Sequence, residues 1–424
     1  MSKRVRVGIL GILLVLALLT SLTVGAAQKE ITFWLMPNTD DSIHLPWLEK
    51  KAAEFQAKTG VKVNIEIIGW DVAWQKITTA IATGEGADAF QVGTTWNPQL
   101  AATGGLEEIN INEFGGKDAF MKANLESTTY KGKYYGVPWI AETRVLFYNK
   151  DIFAKVGVNP PQTLDELTQV AKKIVKVNGE GSAIALAGTN AYDILHNWTI
   201  ILWANGGSLL TKDNKMAMFN NDVGVKAMKW YVDLIRKGYA SKACAEYDQA
   251  QADAAFINGN VAMCYMGNFN ISGIEVQNPS LNYGVVEPPA GPGGKRAAFA
   301  GGSNLVVLKA SKNKAAAKEW IKFLVQKDNM VDYTKNLTHF LPATVEAFDD
   351  PYYETGVWKT FKTALGYATA YPTLANWGDI ENIVKQEFVN VLSEYVNGTY
   401  NDNTVKKHLD AAADRINEVL KREK

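Results

Sequence analysis

Past residue 27 the hydrophobic and polar positions of the chain change period in an orderly way. Ile31 to Leu35 form a short apolar run that predicts an opening strand. Trp47, Leu48, Ala52 and Phe55 then recur at helical spacing, and the pattern stops at Gly60. Val61, Val63, Ile65 and Ile67 alternate with Lys62, Asn64 and Glu66, the period-two signature of a strand with one buried face. A second helix is predicted over 71–83, closed by the glycines at 84 and 86, and 87–92 reads as a third strand. Strand, helix, strand, helix, strand with short connections predicts an α/β fold, a parallel sheet covered by helices. Ligands of such sheets bind outside the carboxyl ends of the strands. The loops at 37–42, 69–71 and 93–99 are therefore candidate binding loops. They carry Asn38, Asp40, Asp41, Trp70, Asp71, Trp96 and Asn97.

The rest of the chain continues in the same class without an internal repeat. Thr163 with Glu166 three residues on predicts a capping box opening a helix over 164–177. Further helices are predicted over 198–205, 223–237, 250–257, 314–327, 379–395 and 405–421. The glycine- and proline-rich stretch 287–294 is the most loop-like segment and a candidate connection between domains. Trp34, Trp47, Trp230 and Trp320 sit at spacings that suit packing.

The first 27 residues stand apart. Lys3, Arg4 and Arg6 precede an apolar run from Val7 to Leu19, and the segment ends in small residues up to Ala26 and Ala27. This is the pattern of a secretory signal peptide cleaved near Ala26 or Ala27; the alternative is an uncleaved membrane anchor. No cysteine lies near that point to take a lipid. No later stretch approaches the ~18 apolar residues of a spanning helix. The mature protein is expected to be exported, to a periplasm or the cell exterior.

Composition narrows the function. Lys+Arg and Asp+Glu both number 44, so the net charge is zero. That argues against a nucleic-acid binder, which needs surplus cations against phosphate. At 424 residues the chain is long enough for two globular units. Four scattered histidines and two cysteines predict no metal site, and no cofactor motif is present. No Gly-x-Ser-x-Gly elbow, His-Glu-x-x-His or Gly-x-Gly-x-x-Gly occurs in the required context. Adjacent carboxylates such as Asp349 and Asp350 read as solvated loop charges, since glycosidase pairs come from separated positions. In an exported protein, Cys244 and Cys264 are expected to form a disulfide; the alternative is two buried free thiols.

Several segments, in order, resemble the extracellular solute-binding proteins of ABC importers, in the carbohydrate-binding branch typified by maltose-binding protein. They are Tyr134 to Pro138 running into Leu146 to Asp151, then Leu202 to Gly207, Ala255 to Phe269, and Gly301 to Val307 leading into the helix around Trp320. The resemblance spans essentially the whole mature chain. It implies two discontinuous α/β lobes of the type II periplasmic-binding class, joined by a three-crossing hinge with the ligand between them. The lobes would be 28–141 with 299–339 and 142–298 with 340–424, with crossings near 140–145, 297–301 and 337–342.

The same resemblance adds site residues. Glu142 and Arg144 lie on the first crossing, Gly302 and Ser303 on the second. His196 and Trp198 match a family position before a Gly-Gly pair. Gly267, Asn268 and Phe269 match a small-residue-then-aromatic motif, with Phe where maltose-binding protein has Trp. Trp377 and Asp379 match a late aromatic site. Such a set suits a sugar, whose C–H faces stack on aromatic rings and whose hydroxyls pair with planar polar groups. The implied partners are a carbohydrate and the permease subunits of an ABC importer, with the protein acting as a monomer and not as an enzyme. The alternatives are the same fold binding a polyamine or peptide, or a secreted carbohydrate-active enzyme.

Overall fold

The computed structural model describes residues 29–189 and 191–422; the expected signal peptide lies outside the described residues. The first lobe opens as β1 (Glu30–Leu35), α1 (Asp41–Thr59), β2 (Lys62–Ile67), α2 (Trp70–Thr83) and β3 (Ala89–Gly93). β1 pairs in parallel with β2 on one side and β3 on the other, with Phe33 opposite both Ile65 and Ala89. Asp40 caps α1 by accepting from the Ser42 N–H at 2.8 Å, and Gly60 ends it in the left-handed conformation (φ 74°) that glycine adopts without a Cβ clash.

Apart from a two-stranded ribbon of Thr129–Tyr130 with Lys133–Tyr134, the remaining strands are β4 (Val137–Asn149), β5 (Ile184–Ala185), β6 (Met263–Gly267), β7 (Tyr283–Val286), β8 (Ala300–Val307) and β9 (Leu341–Pro342). Among the described residues they make one continuous sheet in the order β2-β1-β3-β8-β4-β6-β5, with β7 and β9 also on β4. β4 runs through both lobes and changes partners on the way. From Val137 to Thr143 it pairs with β8, and Ile140 and Ala141 also pair with β9. From Arg144 to Asn149 it pairs with β6 and β7. The chain thus passes from one half of the sheet to the other on β4 and at the start of β8, and at Ala141 both Gly302 of β8 and Leu341 of β9 pair with β4. Gly302 is required there: at φ 126° a Cβ would stand 2.0 Å from the Ile140 carbonyl oxygen.

Each lobe has its own core. Phe33, Leu48, Phe55, Trp139, Leu305, Trp320 and Tyr333 pack in the first. In the second, α3 (Ala191–Ala204), α6 (Trp377–Val396) and α7 (Thr404–Lys421) pack around Trp198, Tyr231, Trp377 and Phe388. The other face of the second lobe's sheet is covered by α4 (Gln249–Ile257) and α5 (Asn270–Gln277), with Phe147, Phe256 and Met266 buried beneath them. Most helices expected from periodicity are present with small shifts at their ends, but the one expected over 198–205 begins seven residues earlier, at Ala191, and the one expected over 314–327 stops at Leu324, a separate helix, Lys327–Tyr333, following it.

Three expectations change. Thr163 accepts from the Glu166 N–H at 3.1 Å, but the Glu166 carboxylate accepts from Gln162, so the box closes one residue early. A complete capping box instead opens α4, between Asp248 and Gln251. The loop 287–294 does not join the lobes: Ala290 pairs with Thr163 and accepts from Leu164, inside the second lobe. Finally, Cys244 and Cys264 are free and buried. Alternation along β6 places Met263 and Tyr265 in the core that holds Cys244, and Cys264 in the core on the opposite face. The sheet therefore stands between the two thiols, and burial raises the pKa of each.

Candidate functional site

Between the lobes lies a cavity of about 1080 Å³. Asn38, Asp40, Trp70, Asp71, Trp96, Glu142, Arg144, His196, Phe269, Gly302 and Ser303, all singled out from the sequence, line it.

The first-lobe wall is aromatic. Trp70 opens α2, and its indole N–H donates to the Pro37 carbonyl at 3.0 Å. Trp74, one turn further along α2, also lines the cavity, and both rings meet the Trp96 ring edge-on, at 5.6 Å from Trp70 and 5.4 Å from Trp74. Trp70 and Trp74 are 42% and 37% exposed. Behind them the polar floor is fixed. Asn38 donates to the Tyr333 hydroxyl at 2.8 Å, and the buried Gln91 amide donates to Asn38 Oδ1 at 3.2 Å and Ser303 Oγ at 2.8 Å.

The second-lobe wall is polar and buried. The first residue of β4 to pair with β6 is Arg144, 4% exposed, and its Nη2 meets Asp193 Oδ1 at 3.3 Å. Its partner is thus Asp193 of α3 rather than Glu142. Glu142 folds over Gly301, where a Cβ would meet its Oε1 at 2.7 Å. Burial raises the Glu142 and Asp193 carboxyl pKa values, against the pull of Arg144. For Arg144, burial opposes the charge, but Glu142, Asp193 and Asp253 outweigh it and raise its pKa. His196 stacks on Phe299 at 3.8 Å, its Nδ1 lies 2.9 Å from the Tyr371 hydroxyl, and burial, then Arg144, hold its pKa well below the usual histidine range. Phe269 faces Phe340 at 5.6 Å, with the Arg144 guanidinium 5.2 Å over its ring.

Seven expected residues lie elsewhere. Trp377 is fully buried, stacks on Tyr371 at 4.8 Å and donates its indole N–H to Glu381 at 2.6 Å; it is core, not a stacking platform. Asp379 is exposed in the first turn of α6 and does not cap it, since Asn376 holds that position. Trp198 is fully buried between Phe219 and Phe388. Asn97 is buried and bonds the Thr128 carbonyl and Asn304. Asn268 braces the hinge, accepting from the Thr143 N–H at 3.2 Å and donating to the His339 carbonyl at 2.9 Å. Gly267 makes room for Phe269, whose ring would stand 2.4 Å from a Cβ there. Asp41 points to solvent from the first turn of α1.

Sequence reasoning missed Trp74, Asp193, Ser272, Val276, Gln277 and Phe340, which also line the cavity. Two of them had a signal: Trp74 follows Trp70 by four residues and Asp193 precedes His196 by three, both same-face helical spacings. Among the described residues no group of His, Cys, Asp and Glu is arranged to hold a metal ion, and no helix is long and apolar enough to cross a membrane.

This two-lobed, hinged architecture with a cleft at the strand switch defines a solute-binding class. The profile of bacterial extracellular solute-binding proteins matches residues 41–331, and the chain belongs to that family. A binding protein of Brucella abortus (strain 2308) is 30% identical, over 98% of each chain. The diacetylchitobiose binding protein DasA of Streptomyces coelicolor is 30% identical over 84% of this chain and 83% of its own. Among solved structures, an ABC transporter solute-binding protein of Thermotoga lettingae bound with α-D-tagatose superposes with a TM-score of 0.78 at 26% identity, covering 92% of this chain and all of the other.

Proposed function

We propose that the protein captures a mono- or oligosaccharide between its lobes, unaltered, and as a monomer hands it to the membrane subunits of an ABC importer. One observation carries this reading: exposed tryptophan faces on one lobe stand across about 1080 Å³ from a fixed set of buried polar groups on the other. The rings suit the C–H faces of pyranoses, and Glu142, Arg144, Asp193 and Ser303 suit hydroxyls, which both donate and accept. The relatives named for diacetylchitobiose and bound with tagatose support a carbohydrate as the ligand class.

Closure follows from differential affinity: a ligand that touches both walls favours the state in which the walls are nearer. Asn38, Asp40, Trp70, Asp71 and Trp96 would close on Glu142, Arg144, His196 and Phe269, with Gly302 and Ser303 at the base. A thermal-shift screen with sugars, spermidine and peptides tests the ligand class, since a ligand of the native state raises stability by mass action. Small-angle scattering with the sugar that shifts should show a smaller radius of gyration, and chromatography should return that sugar unchanged. A shift with spermidine and none with sugars, or a converted sugar, overturns the reading.

A further inference from the structure

Behind Phe269 the cleft continues into a side pocket of about 400 Å³ between α4 and α5. Arg144, Asp193 and Phe269 border both spaces. Ala254, Ile257 and Gly273 give the side pocket an apolar wall, with Gly273 facing Ile257 Cδ1. The polar end holds Asp253, whose Oδ1 accepts from Gln249 Nε2 at 2.6 Å. Burial pushes the Asp253 carboxyl up to about 7, against the pull of Arg144.

The polar groups at this junction are unbalanced. Arg144 spends Nη2 on Asp193, while its Nε and Nη1 are buried with no acceptor from the protein. Buried charged donors without an acceptor are costly, so an entering acceptor is favoured. An anion is not the group that fits, because Glu142, Asp193 and Asp253 already surround the one guanidinium. An ammonium carries no acceptor, so it would leave the Arg144 Nε and Nη1 unpaired and the apolar wall uncovered. What remains is a neutral carbonyl attached to a small apolar group.

Resting on the carbohydrate reading, we propose that this side pocket is a subsite for the acetamido group of a 2-acetamido sugar. The methyl lies on Ala254 and Ile257, the amide N–H donates to Asp193, and the carbonyl oxygen accepts from Arg144. The Phe269 ring lies 5.2 Å over that guanidinium, so it must turn aside for the oxygen to reach the buried Nε and Nη1. No bond is made or broken.

Calorimetry on the purified protein with three β1,4 disaccharides separates the possibilities: N,N′-diacetylchitobiose, cellobiose, and the deacetylated diamine of chitobiose. The acetamido sugar should bind tighter than cellobiose by about tenfold or more, the margin expected when one sugar satisfies buried polar groups and the other leaves them unpaired. In Ala254→Leu, which fills the side pocket, that margin should vanish; the wild-type comparison stands on its own if the variant does not fold. Cellobiose binding as tightly as the acetamido sugar, the diamine binding tightest, or an undiminished margin in A254L each overturns the subsite alone. Failure of every sugar in a wider panel overturns the carbohydrate reading and the subsite with it.

Discussion

The two walls of the cleft are built on opposite plans. On the first lobe, Trp70 and Trp74 leave broad ring surface in water while their rings meet Trp96 and, for Trp70, the Pro37 carbonyl. On the second, Arg144 and His196 are nearly inaccessible, and their contacts with Asp193, Phe299 and Tyr371 run back into the core. Exposed apolar surface is a standing cost in the free protein that burial against a ligand recovers. Buried polar groups are already oriented and cost little further order when the ligand arrives. Changes on the first wall should therefore alter affinity, and changes behind the second should alter stability.

The largest effect should come from the support of the polar wall. Trp377 lies under Tyr371, which holds His196. Trp377→Ala should lower unfolding free energy by about 3–5 kcal/mol, as truncation of core aromatics does, and denaturant titration measures it. If instead affinity falls while stability holds, the division between the walls is broken. Next in size, Trp74→Ala should weaken ligand binding by about 2 kcal/mol, roughly thirtyfold in Kd, as loss of an aromatic anchor does. Its melting temperature should hardly move. Calorimetry and a melting curve on the same sample decide the matter.

A smaller effect sharpens the contrast through pH. Burial pushes the Glu381 carboxyl, partner of Trp377, up to about 8. The native state then holds a proton that the unfolded chain releases near its ordinary carboxyl pKa. This contribution to stability is fully present below about pH 4.5 and is lost as pH rises towards 8. Glu381→Gln should flatten the dependence of melting temperature on pH across that window, and an equally steep curve in the variant would remove Glu381 from the account. The smallest expected effect is none: reductant should leave the melting temperature unchanged, and denatured, unreduced protein should titrate two thiols.

The parallel β1-β2-β3 unit was legible because alternation and helical spacing are local properties, and the cleft loops follow from where such strands end. The two-lobe plan required the family resemblance, since β3 pairs with β8 across the chain and no periodicity signals that. The site errors share one cause. Trp377 and Trp198 have the same chemistry as Trp70, and burial, which separates them, is decided by helices packed from distant segments. Gly378 beside Trp377 faces the Gln99 amide, 3.1 Å from a Cβ placed there, and not the cleft wall. Cys264 misled in the same way: its spacing from Cys244 is short along the chain, and a sheet intervenes.

The shared strand β4 and its neighbour β8 also set when the molecule can fold. In the finished sheet Gln91 of β3 bonds Ser303 of β8 across 212 positions. Contacts of such separation form slowly, because the intervening chain must be closed before they repay it. The first lobe therefore cannot complete itself as a nascent segment; its central strands wait for β8, which follows most of the second lobe. A member of an extracellular family gains from that delay, since the polypeptide stays unfolded and transportable at least until β8 is available.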